Sequence, residues 1–272
     1  MNIHDDAVHL TRPEAGVAVL TMRRARGPNV INDAFCAGML EACKTLEEDD
    51  TLHAVQLRAE GPTFCVGADI GQMQAHLEDL SRYLGELIDH AHAAIMALVS
   101  LPVPVTACVN GVAAGGGFSL ALACDRVIAE RATRFVVAYP KLGTSPDTGL
   151  THSLSARVGS HRALDILLSA EPIDAANAHR LGLVDELVDN GALDTAGLAA
   201  ARRLAALPRM AIVATKSLVR GEALAALQAR MQQEKEWFLR CADTAALRDR
   251  ILSFAQRPKP TQPTASRLTH TI

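Results

Sequence analysis

The feature that most constrains this chain is a run of glycines between two apolar segments. Residues 110–117 read Asn-Gly-Val-Ala-Ala-Gly-Gly-Gly. The apolar segment at 103–109 predicts a strand, and the one at 118–124 predicts a helix. Glycines at such a junction expose backbone N–H groups at the positive end of a helix, where they can bind a phosphate or an oxyanion. Such glycines can also serve close packing only, and this segment by itself leaves both interpretations open.

The composition is that of a globular protein. Of the 272 residues, 49% are hydrophobic and 21% are charged. The net charge of −3 and the aromatic content of 3% disfavour a nucleic-acid-binding surface. We see no apolar run of membrane-spanning length and no apolar signal-peptide core in residues 1–11, so we expect no membrane partner. The six cysteines form no C-x-x-C pair, which is typical of a reduced protein, and we expect the cytoplasm as its location.

Short apolar segments alternate with helical segments, and this order predicts an α/β core with crossover connections. Asn32 is placed to cap a helix over residues 32–46, in which apolar residues recur at helical spacing. A second helix is predicted over residues 84–99 and ends before Pro102. Strands are predicted at residues 17–22, 53–58, 103–109, 126–129 and 135–137.

The pattern changes after about Asn190, where Ala-, Leu- and Arg-rich segments predict only helices. These segments are 195–206, 210–219 and 222–238, followed by a last helical stretch that ends near Phe254. We therefore divide the chain into a core at 1–191, a helical C-terminal region at 192–257 and a Pro/Thr-rich tail at 258–272, which we predict to be disordered.

A second turn of small residues follows the strand predicted at 53–58. It reads Phe-Cys-Val-Gly-Ala-Asp-Ile over residues 64–70 and offers a backbone N–H at Val66, just before a glycine. An oxyanion hole is commonly built from one N–H of each of two turns. From the sequence of this turn alone, a simple loop is the simpler interpretation.

Four segments in this order resemble the enoyl-CoA hydratase/isomerase (crotonase) family. They are F-C-V-G-A-D-I at 64–70, N-G-V-A-A-G-G-G at 110–117, C-D-R-V-I-A at 124–129 and L-G-T-S-P-D-T-G-L at 142–150. The resemblance continues through A-H-R-L-G-L-V-D-E-L-V at 178–188 and covers roughly residues 10 to 260. It implies a spiral of ββα units with a helical C-terminal region that forms a homotrimer or hexamer. It also implies an acyl-CoA thioester substrate, with CoA as part of that substrate and neither a separate bound cofactor nor a metal.

The resemblance also assigns roles to single residues. The N–H groups of Val66 and Gly116 would form the oxyanion hole that binds the thioester carbonyl oxygen and stabilises an enolate. Val66 and Ala68 would line the CoA channel. Arg24 and Arg26 would lie near the CoA phosphates, and Lys259 in the tail would approach CoA.

Two positions depart from the hydratases of this family, which hold and activate water with two glutamates. Ser119 stands at the first position and Tyr139 at the second, where it would line the site. Neither side chain replaces a carboxylate near neutral pH. We therefore expect no hydration by the standard mechanism.

Asp147 is the carboxylate that remains in this neighbourhood. Its position matches the acid of double-bond isomerases in the family, and it also matches the aspartate nucleophile of 4-chlorobenzoyl-CoA dehalogenases. Without the resemblance, the simplest interpretation of Asp147 is the N-cap of a helix that begins at Leu150.

His92 lies at the margin of the apolar stripe of the helix predicted over 84–99, whereas His90 lies well away from that stripe. A histidine at the margin can face a cleft or be merely half-buried. By its spacing from Asn110, His92 matches the dehalogenase base that activates water, although Tyr139 replaces the tryptophan of those enzymes.

The sequence thus predicts a double-bond isomerase in which Asp147 moves a proton near the thioester. The alternatives are a hydrolase or dehalogenase with Asp147 as nucleophile and His92 as base, and a CoA-binding member of the family without hydratase activity.

Overall fold

The computed structural model describes residues 7–255. Within this range the strands are β1 (Val8–Glu14), β2 (Val17–Met22), β3 (Ala54–Ala59), β4 (Val105–Val109), β5 (Val112–Ala114), β6 (Arg126–Glu130), β7 (Arg134–Val136), β8 (Ile173–Asp174) and β9 (Glu186–Val188). The α-helices are α1 (Asp33–Glu47), α2 (Ile70–Ala75), α3 (Leu80–Val99), α4 (Gly116–Ala123), α5 (Tyr139–Leu142), α6 (Leu150–Val158), α7 (Ser160–Ser169), α8 (Ala175–Arg180), α9 (Leu193–Ala205), α10 (Arg209–Ala242) and α11 (Ala245–Ala255).

Two sheets organise the chain. The larger has the order β1-β2-β3-β4-β6-β9, and the smaller has the order β5-β7-β8. In the larger sheet β1 pairs antiparallel with β2, and all other neighbours are parallel, which requires crossover connections. The successive pairs β4/β5 and β6/β7 each contribute one strand to each sheet before the chain turns into a helix. This confirms the predicted α/β fold with its ββα units.

The predicted helix caps and faces explain where the early helices form. The side chain of Asn32 accepts the N–H of Phe35 at 2.9 Å, which confirms Asn32 as the N-cap of α1. Helix α3 begins at Leu80 rather than at residue 84, because Leu80 continues its buried stripe. Strand β1 was not predicted, since it lies at an edge of the sheet and most of its residues are at least partly exposed.

Helix α10 is one continuous helix, although the sequence predicts two segments separated near Gly221. A glycine in a helix costs only about 1 kcal/mol relative to alanine, and packing overrides that preference here. Buried Leu227, Met231 and Phe238 of α10 belong to the main hydrophobic core, as does Leu247 of α11. The C-terminal helices therefore complete the core that the two sheets begin.

Within residues 7–255, none of the helices combines the length and the apolar composition that a membrane span needs. Residues 258–272, which the sequence predicts to be disordered, and Lys259 among them, lie outside the described residues. The division at residues 191 and 257 stays a prediction.

Candidate active site

The two small-residue turns meet at the N-terminus of α4. Cys65 donates its N–H to the carbonyl of Val112 at 3.3 Å, and Ala114 donates its N–H to the carbonyl of Cys65 at 2.9 Å. Gly117 makes this contact possible, because a Cβ at that position would lie 2.1 Å from the Cys65 carbonyl oxygen. The glycine run therefore serves close packing and the exposure of backbone N–H groups at the same time.

The prediction that Val66 supplies an oxyanion donor is wrong. Its N–H is already donated to the carbonyl of Asn29 at 2.9 Å. The N–H groups of Ala68 and Gly116 donate to no acceptor among the described residues, and both residues line the same cavity. Gly67, which has a φ of +86°, reverses the chain between Val66 and Ala68. Ala68 is therefore the donor that this turn offers beside Gly116, while Val66 keeps its predicted place in the cavity wall.

The cavity has a volume of about 600 Å³ and a mainly apolar wall. Helix α3 contributes one part of this wall, and the C-terminal helices contribute another. The apolar residues from these helices are Leu84, Leu87, Ile88, Ala91, Phe238, Leu247 and Phe254. An apolar pocket with a few polar groups is the usual form of a small-molecule site.

Asp147 lines this cavity and is only 5% exposed. Its Oδ1 lies 2.8 Å from Nε2 of His92 on α3. When Asp147 is ionised, the Nε2–H of His92 donates to it. His92 thus contacts the carboxylate without being part of the cavity wall, whereas exposed His90 pairs with Asp33 elsewhere.

Ser119 and Tyr139 form a polar pair beneath Asp147. Their hydroxyl oxygens are 3.2 Å apart, and each hydroxyl lies 3.1 Å from the backbone carbonyl oxygen of Asp147, to which it can donate. Burial raises the pKa of the Tyr139 phenol well above its ordinary value, so the hydroxyl stays protonated and can donate a hydrogen bond. Tyr139 lines the cavity as predicted, and Ser119 is fully buried. The pair supplies no carboxylate to activate water.

The interpretation of Asp147 as a helix cap is wrong. Helix α6 follows Gly149, and no local side chain caps it. Its first amides are bound instead by Glu234 of α10, which accepts the N–H of Gly149 at 2.7 Å and that of Thr151 at 2.8 Å. Glu234 was not among the residues predicted from the sequence. A signal existed, since Glu234 is a charged residue on the stripe that contains Leu227, Met231 and Phe238.

A second carboxylate, Asp69, lines the cavity but is fully engaged. Its Oδ1 accepts the N–H of Gly71 at 3.0 Å at the start of α2, and its Oδ2 accepts a hydrogen bond from Arg24 at 2.6 Å. Arg24 lines the cavity, whereas Arg26 is exposed and does not line it. The predicted proximity of both residues to the CoA phosphates stays a prediction. Lys141 is a further cation of the wall and was not among the predicted residues.

No group of three or more His, Cys, Asp and Glu residues suited to hold a metal ion occurs within residues 7–255.

Comparisons with known proteins identify the family of the chain. The family model described as Enoyl-CoA hydratase/isomerase matches residues 12–262. A 1,2-epoxyphenylacetyl-CoA isomerase of Escherichia coli is 32% identical over 252 residues, which cover 92% of this chain and 96% of the relative. A probable enoyl-CoA hydratase of Rhodobacter capsulatus is 34% identical over 251 residues, which cover 90% of this chain and 93% of the relative.

Among solved structures, an enoyl-CoA hydratase from Bacillus halodurans superposes with a TM-score of 0.85 at 26% identity, over 91% of this chain and 99% of that one. The chain belongs to the enoyl-CoA hydratase/isomerase family, and it is an acyl-CoA enzyme of that family. Its relatives carry the names of both isomerases and hydratases.

Proposed function

We propose that this protein is an acyl-CoA double-bond isomerase with Asp147 as its acid and base. The observation that carries the proposal is the sharing of one cavity by Asp147 and the N–H donors of Ala68 and Gly116. The name of the Escherichia coli relative, a 1,2-epoxyphenylacetyl-CoA isomerase, supports the broader class of isomerases that act on an acyl-CoA.

The proposed reaction moves one proton and keeps all atoms of the substrate. The thioester carbonyl oxygen of a β,γ-unsaturated acyl-CoA accepts hydrogen bonds from Ala68 and Gly116, and the Asp147 carboxylate removes a proton from Cα. The resulting charge collects on the thioester oxygen, where such N–H donors are worth roughly 3–4 kcal/mol each. Asp147 then returns the proton to Cγ, and the double bond lies between Cα and Cβ.

His92 is proposed to orient Asp147. Its hydrogen bond engages Oδ1, and Oδ2 has no partner among the described residues, so Oδ2 is the oxygen available to the substrate. The binding of CoA itself, as part of the substrate and without a separate cofactor, is proposed to involve the cavity cation Arg24. Arg26 and Lys259 remain proposals from the family resemblance.

A second candidate function is favoured by the contact of 2.8 Å between His92 and Asp147. In this alternative, an Asp147 oxygen attacks a substrate carbon, and the leaving group on that carbon departs. The product of this step is an ester between Asp147 and the substrate. His92 then removes a proton from the water that hydrolyses this ester. The alternative is the weaker one because His92 does not line the cavity.

The experiment compares a β,γ-unsaturated acyl-CoA with crotonyl-CoA, following ultraviolet absorbance of the conjugated thioester and binding by calorimetry. We expect isomerisation of the first and very slow hydration of the second. Hydration of crotonyl-CoA at about 10 per second, an ordinary enzymatic turnover, would contradict the proposal. Binding of every acyl-CoA without conversion of any would instead favour a CoA-binding member of the family.

The variant His92→Gln separates the two chemistries. Under the isomerase proposal, the variant isomerises more slowly and its intact mass does not change. Under the nucleophile alternative, turnover of an acyl-CoA that carries a leaving group such as a halide releases that group and leaves an ester on Asp147, which increases the mass of the chain. An ester of this kind would overturn the isomerase proposal.

We also propose that the protein assembles as a trimer or a hexamer of two trimers. On helix α10, Met210, Leu218 and Val219 are each more than two thirds exposed to solvent. This exposure is unusual for large apolar side chains. A monomer in light scattering at micromolar concentration would contradict this proposal.

A further inference from the structure

Glu234 is a buried acid that the proposed reaction does not use. It is 5% exposed, and among the described residues it forms no ion pair with a cation. Its Oε2 accepts the N–H of Gly149 at 2.7 Å, and its Oε1 accepts the N–H of Thr151 at 2.8 Å together with the Thr151 hydroxyl. Burial of a carboxylate without a cation is unfavourable, so its presence here calls for a physical reason.

The partners of Glu234 lie in the turn that carries Asp147. Thr148 has a φ of +59° and Gly149 a φ of +82°. A left-handed conformation is unfavourable for a β-branched residue such as Thr148, and it persists only where the surroundings enforce it. The turn therefore needs contacts on both of its sides to hold its shape.

One side of the turn is held from the direction of α4 and α5. The hydroxyls of Ser119 and Tyr139 lie against the backbone carbonyl of Asp147, and the hydroxyl of Thr148 lies 2.7 Å from the same oxygen. These contacts fix the carbonyl end of the Asp147 peptide. The next N–H groups, those of Gly149 and Thr151, find no acceptor within the turn itself.

The other side is held by α10. A Cβ at Gly149 would lie 2.5 Å from Cδ1 of Leu227 and 3.4 Å from Cγ of Met231, so α10 packs directly against the turn at this glycine. Glu234 lies on the same buried stripe of α10 and binds both free amides of the turn. Phe238, one helical turn further, lines the cavity itself.

We propose that Glu234 is a positioning residue for Asp147, holding the strained turn so that the Asp147 carboxylate stays on the cavity wall and against His92. This inference rests on the proposed catalytic role of Asp147. It assigns α10 a part in the chemistry of the site, through a residue separated from Gly149 by 85 positions in the chain.

The principal test is Glu234→Gln in the full chain. The amide has nearly the same shape, but its NH₂ group faces one of the two backbone N–H donors and cannot accept from it. We expect kcat to fall by about 10- to 100-fold, the range in which a misplacement of roughly 1 Å affects catalysis, with KM changed by less than about threefold. The matched control is Glu236→Gln, the same substitution at an exposed position of α10, for which we expect wild-type kcat.

A milder variant keeps the test valid if Glu234→Gln folds poorly. Thr151→Val removes only the hydroxyl that donates to Glu234 and keeps the backbone N–H. We expect a smaller loss of kcat, about two- to threefold, again without a matching change in KM.

A readout without substrate complements the kinetics. In protein with ¹³C-labelled histidine, the ring signals of His92 are identified by their loss in His92→Gln. We expect Glu234→Gln to move the His92 signals, because Asp147 leaves its position, and Glu236→Gln to leave them in place. Unchanged His92 signals together with a kcat within twofold of wild type in Glu234→Gln would overturn the inference.

A purely structural role for Glu234 would also overturn it. In that case the melting temperature would fall, but kcat per folded molecule would stay at the wild-type value below the transition. The two proposals remain distinguishable. Full activity of Asp147→Asn would refute the proposed function, whereas an inactive Asp147→Asn combined with a fully active Glu234→Gln would refute only the positioning role.

Discussion

On one side of the cavity, the N–H donors of Ala68 and Gly116 are fixed by main-chain contacts between two neighbouring turns, whereas on the other side Asp147 is held by side chains from four helices. The main-chain side depends on glycines that let Cys65 approach the start of α4. The side chains that hold the carboxylate side are His92, Ser119, Tyr139 and Glu234. The main-chain side can thus tolerate few substitutions, while the carboxylate side can be altered one contact at a time.

The largest effect is expected from Asp147→Asn. Asparagine keeps the shape of the side chain but can neither remove a proton nor attack as a nucleophile. We expect turnover to fall by about 10²- to 10⁴-fold, the usual contribution of a general acid or base, while acyl-CoA binding measured by calorimetry changes little. Retained turnover would leave only the N–H donors as a functional assignment.

The main-chain side is tested by Gly117→Ala. The new Cβ would lie 2.1 Å from the Cys65 carbonyl oxygen, a backbone atom that cannot move away without opening the contact between the turns. We expect a loss of about 3 kcal/mol in the free energy of unfolding, as for other overpacked cores, measured by chemical denaturation.

Gly221→Ala is the matched control for this experiment. Gly221 lies inside α10, and a Cβ there meets no atom within 4 Å. The same substitution should therefore stabilise the protein by up to about 1 kcal/mol through helix propensity. Equal effects of the two substitutions would mean that the close approach at Gly117 does not limit stability.

The two sides also differ in how far the sequence predicts them. The glycine run and the second turn suggested N–H donors, but each segment alone left a simpler interpretation open, close packing for the first and a plain loop for the second. The family resemblance was needed to assign the donors. The exact donor was still wrong, since the acceptor of the Val66 N–H is Asn29, a residue of another segment that local sequence does not connect to it. The fold class was predictable because the alternation of strand and helix patterns can be recognised within each local segment of the sequence.

The carboxylate side depends on contacts between distant residues. His92 and Asp147 are separated by 55 positions. Helical periodicity placed His92 at the margin of an apolar stripe, but only the family resemblance suggested that it meets Asp147. The role of Glu234 was not predicted because acids on amphipathic helices are usually exposed. Its burial follows from the packing of α10 against Gly149. Tertiary contacts of this kind cannot be inferred from one segment of the chain.

A smaller effect is expected from Tyr139→Phe, which removes one hydroxyl from the Asp147 carbonyl and leaves those of Ser119 and Thr148. The loss of one hydrogen bond of this kind is worth about 1 kcal/mol, which corresponds to roughly a fivefold decrease in kcat if the carboxylate loses its position. Tyr83→Phe is the matched control, because Tyr83 stacks on His76 and does not line the cavity. Equal decreases in both variants would argue against a specific role for the Tyr139 hydroxyl.

The smallest effect concerns the dependence of stability on pH at Glu234. Burial is the main cause that raises the pKa of this carboxyl above its ordinary value of 4.5, and the nearby Asp147 raises it further. A raised pKa in the folded state means that the folded protein binds the proton more tightly than the unfolded chain does. The favourable contribution of the protonated form is therefore fully present below the ordinary pKa of 4.5, which the carboxyl has in the unfolded chain, and is lost as the pH rises through the folded pKa.

The test compares the free energy of unfolding of the wild type with that of Glu234→Gln between pH 4 and pH 8. We expect the wild type to lose stability relative to the variant as the pH rises, by about 1.4 kcal/mol for each unit by which the folded pKa is raised. Glu236→Gln should show no such trend, since Glu236 is exposed. A flat difference across this range would mean that the hydrogen bonds from Thr151 and Gly149 offset the effect of burial on the pKa of Glu234.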